Sequence, residues 1–229
     1  MPGICPVAPI KGTMMRIVKL DACGVPVTGA SSLVVTTSGF VQVSMEPDYE
    51  DGEEFFERNA DGHACVNQKD KPTLKRFSLT VDFCSVDPIA AAYVMDARLL
   101  DTVSPATTGT GFAVSEGEPD NQFSLEVWQR VAGSGACDAS GAQRYIYNAW
   151  PNVGNTQIGT YTVENARSTL SFTAETSGAS TLWGNGPGSG TSWLPTGRVV
   201  NETGLVEHWL WNITTTAPPV EACGSTTLT

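Results

Sequence analysis

The stretch Phe77–Phe83 reads FSLTVDF, with an apolar side chain at every second position. Successive side chains of a β-strand point to opposite faces, so this stretch presents four apolar residues to one side and three polar residues to the other. The pattern predicts a half-buried strand. The same alternation occurs at 123–131 and at 170–174.

Further runs rich in β-branched and aromatic residues predict more strands. They are Leu33–Val43, Arg144–Trp150, Thr160–Val163 and Glu207–Thr216. Between these runs, 23 glycines and 14 prolines punctuate the chain, which is typical of many short elements joined by turns. The sequence therefore predicts a mainly β protein.

One helix is predicted at about 87–100. Asp87 is a good N-cap, Pro88 suits the first helical position, and an alanine-rich run follows. Because the apolar residues follow the helical period only loosely, we expect this helix to lie against a sheet on one side. The predicted fold is a β-sandwich or barrel with one flanking α-helix.

The length of 229 residues suits a single β domain spanning 1–229, because β-sandwiches and barrels of about 200–250 residues are common as one unit. The segment 214–229, which contains Pro218 and Pro219 and many threonines, is predicted to be an extended arm or disordered. No run approaches the ~18 consecutive apolar residues of a membrane span.

The net charge of −11, from 13 basic and 24 acidic residues, argues against nucleic-acid binding, which depends on Lys and Arg contacts to phosphates. The charge is unevenly divided. Residues 1–76 hold 10 acids and 8 bases, whereas residues 77–229 hold 14 acids and five arginines, without a lysine. The unbalanced negative charge thus belongs mainly to the part of the chain in which most strands are predicted.

The six cysteines form no CxxC pair, and the N-terminus lacks the features of a signal peptide, so we expect reduced thiols in a cytosolic product. The two histidines, His63 and His208, accompany no recognised catalytic motif. Residues 57–62 resemble the start of a calcium loop, but Gln68 stands where a bidentate Glu is needed. An Asp61-Gly62 turn closing a hairpin is the better reading. We therefore expect no catalytic residue, cofactor or metal.

The segment 46–76 is too long for an ordinary connection between strands and is therefore functional or locally structured. Its first part holds seven carboxylates and three aromatic residues, and bases return near its end. One interpretation that remains open is that this segment is simply a charged surface exposed to solvent. Exposed aromatics among charges also suit a contact loop in an oligomer. The candidate contact residues are Glu46, Tyr49, Glu53, Glu54, Phe55, Phe56, Lys69 and Lys71.

Several short motifs give the chain its resemblance to a known family. These are GEEF at 52–55, NADG at 59–62, KR at 75–76 and FCSVDP at 83–88, with weaker support from YIYNAWP at 145–151 and ENA at 164–166. In this order, around an acidic segment and before an alanine-rich helix, they resemble the major tail (tail tube) proteins of long-tailed actinobacterial phages. The resemblance covers about residues 33–170.

The resemblance implies a virion protein, not an enzyme, that is assembled in the host cytoplasm into hexameric rings. The rings stack into a tail tube through which DNA passes without specific binding. The segment 46–76 would then be a ring-stacking loop, and the tape measure, tail terminator and baseplate proteins would be partners. An acidic lumen would repel DNA. Strand alternation suggests four lumen-facing acids, which are Asp82, Glu126, Glu164 and Glu175.

A different virion β-module, such as a capsid decoration or carbohydrate-binding protein, remains the alternative. Trp183, Trp193, Trp209 and Trp211 could offer stacking platforms for sugars. Trp209 and Trp211, however, alternate on one face of a predicted strand, where core packing is the commoner role.

Overall fold

A computed structural model describes residues 7–100, 109–117, 120–163, 168–178, 207–222 and 224–227. Among the residues singled out from the sequence, Glu164, Trp183 and Trp193 lie outside these ranges. The elements are β1 (Ala8–Lys19), β2 (Val34–Thr37), β3 (Phe40–Glu50), β4 (Glu54–Arg58), β5 (Ala64–Lys69), β6 (Thr73–Phe83), α1 (Pro88–Val94), β7 (Arg98–Leu100), β8 (Gly111–Ala113), β9 (Phe123–Ala132), β10 (Tyr145–Thr162), β11 (Thr169–Ser177) and β12 (Leu210–Thr214).

Eight of these strands form one antiparallel sheet in the order β2-β1-β9-β10-β11-β6-β3, with β12 paired to the first part of β10. The first and last strands of this order, β2 and β3, are joined only by Ser38 and Gly39. The ring of Phe40 lies so close to Gly12 of β1 that a Cβ there would be 2.6 Å from it. The sheet therefore coils around a central core, and the predicted mainly β fold with one helix is confirmed.

The alternating stretch that predicted a half-buried strand lies at the end of β6 and behaves as expected. Leu79, Val81 and Phe83 are buried, whereas the polar residues between them face outward. Phe172 of the neighbouring strand β11 stacks on Phe83 with ring centroids 5.7 Å apart and meets Phe123 edge-on. The core is thus built from the apolar faces of several strands together.

The helix exists but is shorter than predicted. The Asp87 carboxylate accepts hydrogen bonds from the backbone N–H groups of Ile89 and Ala90, as a capping residue should. The helix ends at Val94, and Asp96 adopts a left-handed backbone with φ 49°. The Asp96 carboxylate accepts a hydrogen bond from the Asn121 side chain. Of the remaining predicted helical residues, Arg98–Leu100 form β7, so tertiary contacts override the local helical pattern there.

The segment 46–76 is a long hairpin and not an irregular loop. Strand β3 pairs with β6 as far as Glu50 opposite Thr73, and β4 pairs with β5 beyond that point. A turn at residues 59–63 closes the hairpin, and Gly62 within it has φ 82°. The Asp61-Gly62 turn read from the sequence is therefore confirmed. The strands β4 and β5 escaped prediction because both of their faces are exposed, so no apolar alternation marks them.

The C-terminal segment runs back over the body. The Glu221 carboxylate accepts hydrogen bonds from the backbone and side chain of Ser38, and the Gly224 N–H donates to Asp87. Thr226 forms an antiparallel bridge with Val34 through two backbone hydrogen bonds of 2.8 and 3.0 Å. These contacts place the described part of the predicted arm on the outer edge of β2 and against the start of α1.

Candidate contact ribbon and polar sheet face

The most unusual surface feature is the outer half of the long hairpin, residues 51–72, which we call the ribbon. Its strands β4 and β5 pair only with each other among the described strands. The side chains of Phe55 and Val66 lie on one face, whereas Phe56 lies on the other. All three are at least 40% exposed. A two-stranded hairpin is marginally stable at best by itself, and the ribbon gains its support from the β3–β6 ladder that it continues.

A narrow neck joins the ribbon to the body. The Asp70 N–H donates a 2.9 Å hydrogen bond to the Glu53 carbonyl. Gly52 approaches the Asp70 backbone so closely that a Cβ on residue 52 would overlap its carbonyl group. Glycine is therefore needed at this position for steric reasons, and its place in the sequence marks where the ribbon leaves the main ladder.

The ribbon carries six acidic and three basic residues, a net charge of −3. Arg58 lies over the Phe56 ring at 5.0 Å and donates to the Gly62 carbonyl. No carboxylate of the ribbon has an ion pair within the described part of the chain. The ribbon therefore exposes charged groups and aromatic rings side by side.

Most of the predicted contact residues lie together on the ribbon. Glu53, Glu54, Phe55, Phe56, Lys69 and Lys71 are all exposed there. Tyr49 lies just below the neck in β3 and is 55% exposed. Glu46 lies elsewhere, in the main ladder opposite Ser78. It belongs to the second surface described next.

The outward faces of β3, β6 and β11 form a continuous polar surface, which we call the polar face. Cross-strand pairing aligns its side chains in rows, such as Gln42–Asp82–Ser171 and Ser44–Thr80–Thr173. The full set is Gln42, Ser44, Glu46, Asp48, Arg76, Ser78, Thr80, Asp82, Ser171, Thr173 and Glu175. Four carboxylates against one arginine give this surface a net charge of −3, and all eleven of its side chains are polar.

Two of the four predicted lumen acids, Asp82 and Glu175, lie on the polar face. The Glu175 carboxylate accepts a 2.7 Å hydrogen bond from Arg76 and a 3.0 Å bond from the Asn155 side chain. Arg76 also donates to Asp48 at 3.1 Å. These ion pairs lie at the end of the polar face nearest the ribbon. Glu164 lies outside the described residues, so its prediction stays open.

The prediction that Glu126 faces a lumen is wrong, because its side chain is completely buried. Strand β9 lies between β1 and β10 with both faces covered, so its polar alternation does not point to solvent. Glu126 instead accepts hydrogen bonds from the Arg16 guanidinium at 2.6 and 2.7 Å. Burial raises the pKa of Glu126, and the Arg16 charge opposes that rise.

Trp128 and Tyr147 complete this buried cluster. The Arg16 guanidinium lies 5.6 Å from the centroid of Trp128, whose ring is 5.0 Å from that of Tyr147. Burial also raises the pKa of Tyr147 well above its ordinary value, with the Glu126 charge adding to the effect. The cluster is a buried structural feature of the protein and forms no part of its surface.

The tryptophans near the C-terminus are more exposed than core packing predicts. Trp209 is 37% and Trp211 is 50% exposed, so the expectation of burial for these two is wrong. Trp209 meets Phe77 edge-on, and His208 accepts or donates a 2.9 Å hydrogen bond with Thr176. Trp209 and Trp211 belong to a short segment around β12, which among the described strands pairs with β10 alone.

Within the described ranges, no group of three or more His, Cys, Asp or Glu side chains could hold a metal ion. Among the same residues, none of the helices is long and apolar enough to cross a membrane. No protein-family model matches the chain, and no curated protein matches it. The ribbon and the polar face are therefore the features from which a function has to be argued.

Proposed function

We propose that this protein is a structural virion subunit that self-assembles into stacked rings forming a phage tail tube, and that it is not an enzyme. The observation that carries the proposal is the ribbon, a two-stranded extension with aromatic side chains on both faces and carboxylates that form no ion pair with other described residues. In a monomer these exposed rings and carboxylates contribute little stabilising contact. A neighbouring copy would bury the rings and satisfy the charges.

The polar face supports the second part of the proposal. Its rows of Ser, Thr, Gln and carboxylate side chains offer hydrogen-bonding groups to water but only one positive charge, on Arg76, which two carboxylates already neutralise. A wall of this kind repels DNA phosphates and gives them no site at which to bind. In the tube we assign the polar face, with Asp82 and Glu175, to the lumen. Such a subunit would reside in the virion tail.

The ribbon gives the sharpest test because the structure shows where it can be removed. Residues 51–72 are replaced by Asn-Gly, a two-residue turn that suits the Glu50–Thr73 pair at the end of the main ladder. We expect a folded protein that forms monomers or rings but no long tubes by negative-stain electron microscopy. Unchanged tubes would contradict a stacking role for the ribbon.

A point variant separates ribbon chemistry from ribbon shape. Phe55→Ser and Phe56→Ser together remove apolar contact area while leaving the β4–β5 ladder intact. The matched control is Tyr161→Ser, because Tyr161 is 60% exposed but lies in β10. We expect tube formation to fail in the ribbon variant and to persist in the control. A helical reconstruction of the wild-type tube would then locate the polar face directly.

A second candidate function rests on Trp209 and Trp211, whose exposed rings could stack on sugars in a carbohydrate-binding virion module. Glycan-array binding that is lost on Trp211→Ala, in a protein that stays monomeric, would favour this function. The ribbon plays no part in it, and for that reason we prefer the tail-tube proposal.

A further inference from the structure

Positive charge, opposite in sign to that of the ribbon, is concentrated near the start of β1. This part of the strand carries Lys11. Lys11 lies directly across the ladder from Arg130 of β9. Arg130 in turn lies opposite Tyr145 of β10, which follows Arg144. We call Lys11, Arg130 and Arg144 the basic corner. Lys11 and Arg130 are exposed, and Arg144 is half-buried.

The basic corner is electrostatically unfavourable in the isolated subunit. Like charges that face each other across antiparallel strands destabilise a sheet. Neither Lys11 nor Arg130 forms an ion pair within the residues that the structure describes. The nearby Asp138 carboxylate accepts hydrogen bonds from Ser140 and from the backbone of Ala142. The Ser140 hydrogen bond, and to a lesser extent the Arg144 charge, lower the pKa of Asp138, so Arg144 has a carboxylate near it, and Lys11 and Arg130 are the bases of the corner without an ion pair among the described residues. On a chain of net charge −11, two facing bases of this kind indicate an acidic partner.

We infer that the basic corner binds the acidic ribbon of a second copy of this chain. The ribbon has a net charge of −3, and its carboxylates form no ion pair with any residue that the structure describes, so the two surfaces are complementary in charge. Ile10, beside Lys11, is 57% exposed and supplies an apolar contact for the ribbon phenylalanines. The inference rests on the proposed function, since it names the surface that receives the ribbon.

The two surfaces lie on different strands, the ribbon beyond β3 and β6 and the basic corner on β1, β9 and β10. In the tail-tube proposal each copy offers its ribbon to one neighbour and its basic corner to another, which is a heterologous contact, whereas a reciprocal exchange between two copies would close a dimer. Heterologous contacts generate rings where the rotation closes and open filaments where it does not. The contact is thus of the kind that a tube needs.

Lys11→Glu is the most informative variant. It places a carboxylate opposite Arg130 and so replaces a like-charge pair by an ion pair, which we expect to preserve or raise the melting temperature of the monomer. Self-association should nevertheless weaken at least tenfold, measured by analytical ultracentrifugation. A purely structural role for Lys11 would move folding and association in the same direction. Arg98→Glu, at an exposed arginine elsewhere, is the control for charge.

A charge swap tests the pairing itself. Glu54→Lys with Glu57→Lys on the ribbon should also weaken association, and combining it with Lys11→Glu and Arg130→Glu should restore it. Cross-linking adds a direct readout, because Cys65 of the ribbon is a free, exposed thiol. With a thiol-to-amine reagent and mixed isotope-labelled chains, we expect an intermolecular Cys65–Lys11 product.

The outcomes separate the inference from the proposed function. If the wild type assembles and Lys11→Glu assembles equally well, the basic corner is not the receptor, and the tail-tube proposal stands. Restored assembly in the charge-swapped protein, together with the Cys65–Lys11 product, supports the inference. A wild-type chain that stays monomeric up to high protein concentration overturns both.

Discussion

Replacing Glu126 by alanine should destabilise the folded chain strongly. The buried Glu126 carboxylate accepts hydrogen bonds from two nitrogens of Arg16, at distances of 2.6 and 2.7 Å. With charge centres about 4 Å apart and an effective dielectric constant of about 20, their attraction is about 4 kcal/mol. Its loss leaves the Arg16 charge buried, for which removal of one partner typically costs about 3–5 kcal/mol. With an m-value of about 3 kcal/mol/M, the urea midpoint should fall by about 1–2 M.

The control for Glu126→Ala removes both charges. In Arg16→Met with Glu126→Leu, no charge is left without its partner, and apolar side chains of similar volume fill the space. We expect a free energy of unfolding close to or above that of the wild type, since buried ion pairs are often replaced without loss. Because Glu126 is buried, this double variant should also assemble normally. A Glu126→Ala midpoint equal to that of the wild type would refute the argument.

The raised pKa of Glu126 adds a pH dependence to the same experiment. Because the pKa of Glu126 is raised, the folded state holds the proton more tightly than the unfolded state does. The folded state therefore loses stability as the pH rises from the ordinary glutamate pKa, about 4.3, through the raised pKa of the folded state. Glu126→Gln cannot titrate. The wild type should therefore lose stability relative to Glu126→Gln over that window, as measured by urea denaturation at several pH values. A difference that is constant with pH would contradict the raised pKa.

Two further predictions concern backbone positions. Gly52→Ala forces the ribbon neck apart, so we expect weaker self-association in sedimentation experiments with the body still folded, whereas Gly111→Ala, with its nearest new contact at 3.9 Å, should have no effect. Asp87→Ala removes the helix cap and the partner of Gly224, which should cost about 1–2 kcal/mol in urea denaturation and speed proteolysis of the C-terminal segment. Asp87→Asn should retain most of the cap, and equal loss in both variants would contradict the capping argument.

The sequence pattern predicted those strands that have one face buried in the core and the other exposed to solvent. The strand ending at Phe83 and the strand containing Phe172 each have one buried and one outward face, so their alternation was informative. Strand β9 has the same alternation, but it lies between two other strands and both of its own faces are buried. Its local sequence does not show this. Strand β1 passed unnoticed because its first half is exposed and irregularly paired.

The same reasoning explains which parts of the site could be anticipated. The ribbon was identified by composition, since its density of charges and aromatics does not depend on the rest of the fold. Glu46 was grouped with it by proximity in sequence, although the ladder places it opposite Ser78 on the polar face. The basic corner was missed because Lys11 and Arg130 are 119 positions apart and meet only through strand pairing.

The bridge between Val34 and Thr226 has a consequence for the order of events during synthesis. Strand β1 can pair with β9 only after β9 has been synthesised. The outer edge of β2 pairs with Thr226, which is synthesised later still. Loop-closure entropy makes contacts of such long sequence separation slow to form. We therefore expect this edge of the sheet to be completed only after Thr226 has left the ribosome, as the last step in folding of the described sheet.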